Sequence, residues 1–151
     1  MTQLRAILLV EDSAKDVELA LAALKKNNFA NPVVVASDGV EALDYLYGRG
    51  KFASPPASLP IVILLDLKLP KKDGLEVLKE IKTDARLKLI PVVMLTSSRE
   101  EADLVKSYSL GVNAYVVKPV GFQQFMEAIR QTGNFWAVIN ETAPLAGAPG
   151  G

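Results

Sequence analysis

Short apolar runs alternate along the chain with longer segments in which apolar residues recur every three or four positions. The clearest run is Ile-Val-Ile-Leu-Leu at 61–65, and similar runs cover 6–10, 32–36, 91–95 and 113–117. A run that is apolar at nearly every position indicates a strand buried on both faces, as in a parallel sheet covered by helices. The pattern therefore predicts five β-strands.

The segments between these runs predict five helices, each with one apolar face directed at the core. A strand–helix unit repeated five times indicates an α/β fold with a doubly wound parallel sheet. The predicted inward residues are Val17, Ala20, Leu21 and Leu24 in the first helix; Val40, Leu43 and Leu46 or Tyr47 in the second; Val77, Leu78 and Ile81 in the third; Ala102, Val105 and Tyr108 or Ser109 in the fourth; and Phe125, Met126 and Ile129 in the fifth.

Two segments of the chain lack this periodicity. Glycine and proline recur through 48–60, which predicts a long loop. Alanine, proline and glycine dominate 142–151, which predicts a disordered tail. With 151 residues and half of them apolar, the chain is expected to form one domain over 1–140, followed by a tail at 141–151.

Polar side chains stand where the predicted strands end. Glu11 and Asp12 follow the first strand, Asp66 the third, Thr96 the fourth, and Lys118-Pro119 the fifth. The carboxyl ends of parallel strands meet at one edge, where open α/β sheets bind their ligands. The pattern leaves the strand order open; with the order 2-1-3-4-5, the three carboxylates would meet at the switch point.

Three carboxylates at one point would raise one another's pKa unless a cation lay among them. The chain contains no histidine and no cysteine, so oxygen atoms alone would hold such a cation, which suits Mg²⁺ or Mn²⁺. The same absence excludes disulfides, thiolate metal sites and imidazole chemistry by the chain itself. Any phosphoryl chemistry must use carboxylates, hydroxyls and lysine, or a partner's histidine.

The charge balance restricts the class of partner. Lys+Arg and Asp+Glu number 17 each, so no net field draws the chain to nucleic acid or to an anionic membrane. The apolar runs are too short to span a bilayer, and the first five residues lack a signal-peptide core. We therefore expect a cytoplasmic protein that binds neither nucleic acids nor membranes.

The residues at the strand ends, with their spacing, resemble the receiver domain of bacterial two-component response regulators from Arg5 to about Thr132. Within that family the chain is most similar to the small stand-alone regulators associated with phytochrome-type sensor kinases. The resemblance implies a flavodoxin-like fold with a five-stranded sheet in the order 2-1-3-4-5 and helices on both faces. Further matching positions are Pro70, Gly74, Asp38-Gly39 and Tyr115 for the family, and Tyr45-Leu46-Tyr47-Gly48, the following loop and Gly133-Asn134-Phe135-Trp136 for the narrower group.

The resemblance implies that Asp66 is the nucleophile and the site of phosphorylation. It would accept a phosphoryl group from a phosphohistidine on a sensor histidine kinase or a phosphotransfer protein. Mg²⁺ would be held by Asp66, Asp12, Glu11 and the backbone carbonyl of Lys68. Many receivers have aspartate where this chain has Glu11, and the resemblance implies that Glu11 would bind the metal partly through water.

The resemblance also implies how the phosphoryl group would be bound and sensed. The Thr96 hydroxyl and the Lys118 ammonium would each bind a phosphoryl oxygen, and the peptide before Pro119 would be cis. Tyr115 would move together with Thr96 as the switch. The protein would catalyse only its own phosphorylation and dephosphorylation, and a homodimer is expected through Tyr115, Phe135 and Trp136.

Each of these residues also has a simpler interpretation. Asp66 could begin a turn, Asp12 and Thr96 could cap helices, Lys118 could be a solvated lysine, and Tyr115 a half-buried strand aromatic. An Mg²⁺-dependent phosphohydrolase with an aspartate nucleophile is the alternative function. It would normally carry a second aspartate two residues after the first, where this chain has a lysine. A further alternative is a structural interaction module that resembles a degenerate receiver. Such modules typically lose the acidic pair, the nucleophile or the lysine, and this chain keeps all of them.

Overall fold

The computed structural model describes residues 5–26, 30–52, 58–107, 112 and 114–132. The predicted alternation is confirmed, with a short 3-10 helix at Leu87–Leu89 that the pattern did not indicate. No helix in the described ranges is long and apolar enough to cross a bilayer. The strands are β1 (Ile7–Val10), β2 (Val33–Ala36), β3 (Val62–Asp66), β4 (Val92–Thr96) and β5 (Tyr115–Val117), and the helices are α1 (Ala14–Lys26), α2 (Gly39–Tyr47), α3 (Gly74–Thr83), α4 (Arg99–Ser107) and α5 (Phe122–Gln131).

The five strands are parallel and lie in the order β2-β1-β3-β4-β5, as the resemblance implied. The register aligns their carboxyl ends. Val10 lies opposite Leu65, so the next residues, Glu11 and Asp66, are neighbours across two strands. On the other side, Asp66 lies opposite Leu95, directly before Thr96. The sheet thus places the polar strand-end residues along one edge.

Two apolar clusters, one on each face of the sheet, hold the helices in place. Alternate residues of β3 supply both clusters, because successive strand side chains point to opposite faces. Each fully buried Leu, Ile, Val or Phe side chain stabilises the fold by roughly 1.5–3 kcal/mol. On one face the helices contribute Leu43, Leu46, Val77, Leu78, Ile81 and Val105; on the other they contribute Ala20, Leu24, Phe125, Ala128 and Ile129.

The prediction that Val40 faces the core is wrong, because its side chain is 41% exposed. Helix α2 begins at Gly39, and its buried residues are Gly39, Ala42, Leu43 and Leu46. Each residue turns the helix by about 100°, so the face that starts at Gly39 directs Val40 into solvent. Tyr108, Ser109, part of the predicted loop and the predicted tail lie outside the described residues.

Two glycines let the loop between β3 and α3 lie close to its neighbours. The Gly74 amide donates a 2.9 Å hydrogen bond to the Leu67 carbonyl, and a Cβ at Gly74 would collide with the Asp66 carbonyl oxygen. A Cβ at Gly39 would likewise collide with the Lys72 carbonyl oxygen. These contacts bring the start of α2 and the start of α3 against the loop that follows Asp66.

We expect Gly74→Ala to lower the free energy of unfolding by about 1–3 kcal/mol, the range for overpacked sites. The matched control is Gly121→Ala, where a Cβ would meet the far end of the flexible Gln124 side chain rather than backbone. Urea denaturation followed by far-ultraviolet circular dichroism measures both. Equal stability losses in the two variants would contradict the close approach at Gly74.

Candidate functional site

Three acidic side chains meet at the carboxyl edge of the sheet. Glu11, Asp12 and Asp66 each place a carboxylate oxygen within 4.8 Å of the others. Glu11 and Asp66 are buried, whereas Asp12 is exposed. The group is therefore closed on the protein side and open to solvent through Asp12. Such an arrangement lets a small cation approach from outside.

The ammonium of Lys118 lies among these carboxylates. Its Nζ is 3.1 Å from Glu11 Oε1, 3.1 Å from Asp16 Oδ2 and 3.3 Å from Asp66 Oδ2. The side chain is only 17% exposed, so Lys118 is not a solvated surface lysine. An ammonium has three hydrogens to donate, and each has a carboxylate acceptor here. The Lys118–Pro119 peptide is cis, as the resemblance implied.

The surroundings shift the pKa values of two ionisable groups in this cluster. Burial raises the pKa of Glu11 to about 7, against the opposing effects of the Ser13 amide and the Lys118 ammonium. Burial lowers the pKa of Lys118, but its hydrogen bonds to Glu11 and Asp16 outweigh that effect and raise it above its ordinary value. Lys118 is therefore the fixed positive charge of the site, and the charge of Glu11 depends on the cations near it.

Thr96, the last residue of β4, carries a buried hydroxyl for which the described residues supply no hydrogen-bond partner. Its backbone carbonyl accepts from the Lys118 amide at 2.7 Å, which joins it to the loop that carries the ammonium. A buried hydroxyl without a partner costs about 1–3 kcal/mol. The resting site thus retains a donor that an added acceptor could satisfy.

Serines, rather than the site residues, cap the neighbouring helices. Ser13 Oγ accepts from the Asp16 amide at 3.2 Å at the start of α1. Ser98 Oγ accepts from the Glu101 amide at 3.2 Å at the start of α4. The interpretation of Asp12 and Thr96 as helix caps is therefore wrong.

Comparison with known protein families identifies the family of this chain. The response regulator receiver domain family matches residues 7–130. The chain belongs to this family. It is a two-component response regulator receiver, as its strand-end residues predicted, and the phosphohydrolase alternative is not favoured.

Several receivers of known sequence or structure are similar to this one. The bacteriophytochrome response regulator AtBRR is 62% identical, with a TM-score of 0.86 over 93% of this chain and 100% of that chain. Response regulator Rcp1 of Synechocystis sp. is 41% identical over 144 residues, 95% of each protein. Its Mn²⁺-bound crystal structure gives a TM-score of 0.68, with 42% identity over 87% of this chain and 94% of that one. The phosphorylated cyanobacterial phytochrome response regulator RcpA is 45% identical, with a TM-score of 0.69 over 88% and 94%.

The ammonium of Lys68 in this receiver forms an ion pair with Glu101. Its Nζ lies 2.9 Å from Glu101 Oε2 on α4, and Glu101 Oε1 accepts from the Ser97 amide at 2.9 Å. The hydrogen bonds from Lys68 and Ser97 lower the pKa of Glu101 to about 2. Glu101 thus joins the loops after β3 and β4, a connection that no sequence pattern indicated.

Tyr115, the first residue of β5, is half-buried, and its hydroxyl donates to the Val112 carbonyl at 2.6 Å. Burial raises its pKa above the ordinary value for tyrosine. Its ring packs against the cluster that contains Val105 and Met94, on the face of α2 and α3. The other two predicted interface residues of the receiver, Phe135 and Trp136, lie outside the described residues.

We expect Thr96→Val to raise the free energy of unfolding of the metal-free receiver by about 1 kcal/mol, because valine removes a buried hydroxyl that has no partner in the described part of the chain. Thr83→Val is the control, since the Thr83 hydroxyl is exposed and donates to the Lys79 carbonyl at 2.9 Å. It should give no gain. A loss of stability in Thr96→Val, measured by urea denaturation, would show that its hydroxyl is already hydrogen-bonded.

Proposed function

We propose that this receiver accepts a phosphoryl group on Asp66 and signals through a change in its protein contacts. The observation that carries the proposal is the meeting of three chemically matched groups at one edge. These are the buried Asp66 carboxylate, the Lys118 ammonium 3.3 Å from it, and the Thr96 hydroxyl on the adjacent strand, which has no hydrogen-bond partner among the described residues. A nucleophile thus lies beside two donors suited to a phosphoryl anion.

The donor in this proposal is a phosphohistidine of another protein, because the chain contains no histidine. An Asp66 carboxylate oxygen attacks phosphorus, and a P–O bond forms as the P–N bond to the imidazole breaks. The electron pair of that bond leaves with the imidazole nitrogen, which takes a proton. Asp66 becomes an acyl phosphate. The Lys118 ammonium then bonds to a phosphoryl oxygen, and the Thr96 hydroxyl donates to another.

A divalent cation fits the acidic group, since its three carboxylates converge and offer only oxygen ligands. We assign Mg²⁺ as the cation and Asp12, Asp66, Glu11 and the Lys68 carbonyl as its ligands. When bound, it neutralises charge on the transferred phosphoryl group. Glu11 Oε1 already accepts from Lys118, and Glu11 Oε2 accepts from the Ser13 amide at 3.0 Å. These bonds support contact of Glu11 with the metal through a water molecule. The relative Rcp1 has a Mn²⁺-bound form.

The partner proposed is a sensor histidine kinase of the phytochrome type, or a phosphotransfer protein in the same relay. The support is the similarity to AtBRR and RcpA, which are described as bacteriophytochrome and phytochrome response regulators. Such a relay would operate in the cytoplasm. The receiver catalyses only its own phosphorylation and dephosphorylation in this proposal, within a domain at 1–140 and with a tail at 141–151.

We expect phosphoramidate with Mg²⁺ to add one phosphoryl group to the wild type and none to Asp66→Asn, because an amide is not a competent nucleophile. Intact-protein mass spectrometry measures the product, and EDTA should abolish it. Asp103→Asn, an exposed aspartate on α4, is the control and should be phosphorylated like the wild type. Full phosphorylation of Asp66→Asn, or phosphorylation of the wild type in EDTA, would refute the assignment.

We also propose a homodimer through Tyr115, Phe135 and Trp136. Part of the support is the position of Tyr115, half-buried on the edge strand β5, where a change near Thr96 can reach it. The residues 135–139, Phe-Trp-Ala-Val-Ile, supply apolar bulk of the kind that marks contact surfaces. Two-fold dimers are the commonest form of oligomer.

Sedimentation velocity tests this dimer in the presence and absence of beryllofluoride, a phosphoryl mimic. The double variant Phe135→Ala/Trp136→Ala should dissociate, because it loses the apolar contact area, while Leu89→Ala should not. Leu89 is the control because it is a 76% exposed apolar residue on the 3-10 helix. A monomeric wild type in every condition would refute the dimer, and a double variant that stays dimeric would refute the surface.

A further inference from the structure

We propose that Asp16 is a positioning residue for the phosphorylation of Asp66, which acts by holding the Lys118 ammonium at the site throughout the reaction. The inference rests on the proposed function. Asp16 Oδ2 lies 3.1 Å from Lys118 Nζ, as close as Glu11 and closer than Asp66. Asp16 lies in the first turn of α1, where an acidic residue would by itself indicate only a favourable interaction with the helix dipole.

Of the three carboxylates that bind Lys118, Asp16 is the one whose charge is not needed elsewhere. Glu11 and Asp66 belong to the acidic group that can hold a cation, and Asp16 is not part of that group. Asp66 also gives up a charged oxygen when it forms the acyl phosphate. The Asp16 carboxylate can therefore keep its bond to Lys118 before, during and after transfer, while the other two bonds are exchanged.

The position of Asp16 is tied to the same turn that carries Glu11. The Ser13 amide donates to Glu11 Oε2 at 3.0 Å, and the Asp16 amide donates to Ser13 Oγ at 3.2 Å. This chain of hydrogen bonds connects the end of β1 to the first turn of α1. The Asp16 side chain is 30% exposed, against 1% for Glu11 and 5% for Asp66. It thus binds the ammonium from the solvent side of the acidic group.

Without Asp16, the ammonium would keep Glu11 and Asp66 as its carboxylate partners among the described residues. Both are proposed to bind the cation, so Lys118 would compete with it for the same oxygens. The flexible four-carbon stem of lysine would also be less restricted once the phosphoryl group displaced it from Asp66. Both effects should slow phosphoryl transfer. The pairing is partly buried, so its loss should slow the reaction more than the loss of an exposed ion pair would.

The test compares Asp16→Asn with the wild type in the rate of phosphorylation by phosphoramidate and Mg²⁺, followed by intact-protein mass spectrometry. A small donor avoids any effect on kinase docking. We expect a rate constant that is roughly three- to tenfold lower, the size expected for loss of one partly buried charge pair. Glu18→Gln, an exposed acidic residue on the same helix with the same change of charge, should react like the wild type.

A double-mutant cycle with Lys118→Ala separates positioning from a general electrostatic or structural effect. If Asp16 acts through Lys118, adding Asp16→Asn to Lys118→Ala should cause no further decrease in rate. An equal decrease in both backgrounds would overturn the inference, as would an unchanged or higher rate in Asp16→Asn alone.

A second measurement needs no phosphorylation. In ¹H–¹⁵N correlation spectra of the metal-free protein, the lysine ammonium signal that Lys118→Ala removes should be lost or broadened in Asp16→Asn and retained in Glu18→Gln. Its retention in Asp16→Asn would overturn the inference. If the wild type takes no phosphoryl group on Asp66, the proposed function fails as well; if it does and Asp16→Asn matches it, only the role of Asp16 fails.

Discussion

The acidic edge of the sheet depends on the ammonium of Lys118. Two buried carboxylates on adjacent strands, Glu11 and Asp66, lie close enough to repel, and each bonds to Lys118 Nζ. A carboxylate beside another is costly to ionise unless a cation compensates. The cation here comes from the loop after β5, so the charge balance joins the first, third and fifth strands. Anything that adds charge at this edge changes that balance.

The fold makes such a balance possible because it fixes the ends of the strands before any polar contact is considered. Apolar clusters on both faces determine the register of β1, β3 and β4. That register places Glu11 beside Asp66, and it places Thr96 one residue after Leu95, which lies opposite Asp66. Two glycines let α2 and α3 begin close against the loop that follows Asp66, where a Cβ would collide with its backbone. Backbone contacts therefore help to hold the loop that follows Asp66.

Much of this was predictable from the sequence, for a physical reason. Apolar runs report burial on both faces, and the residue that ends such a run must lie at the edge, so Asp66, Thr96 and Glu11 could be placed without coordinates. The contacts of Asp16 and Glu101 could not be predicted in this way. Both are acidic residues in the first turn of a helix, a position that the helix dipole favours, and only the angle at which the helix leaves its loop decides what they touch. The prediction for Val40 was wrong because a shift of one residue along α2 turns a side chain from the buried face, which starts at Gly39, to the exposed face.

The contrast between Thr96 and the two capping serines shows how the resting site differs from ordinary structure. Ser13 and Ser98 satisfy backbone donors at the starts of α1 and α4, whereas the Thr96 hydroxyl is buried without a partner among the described residues. A hydroxyl in that state lowers stability by about 1–3 kcal/mol, and an acceptor placed beside it would recover that amount. Lys118 differs, because at rest its ammonium already bonds to three carboxylates. Under the proposed function, an acceptor on the phosphoryl group would satisfy the Thr96 hydroxyl and so favour the phosphorylated state, while Lys118 would exchange a carboxylate for a phosphoryl oxygen.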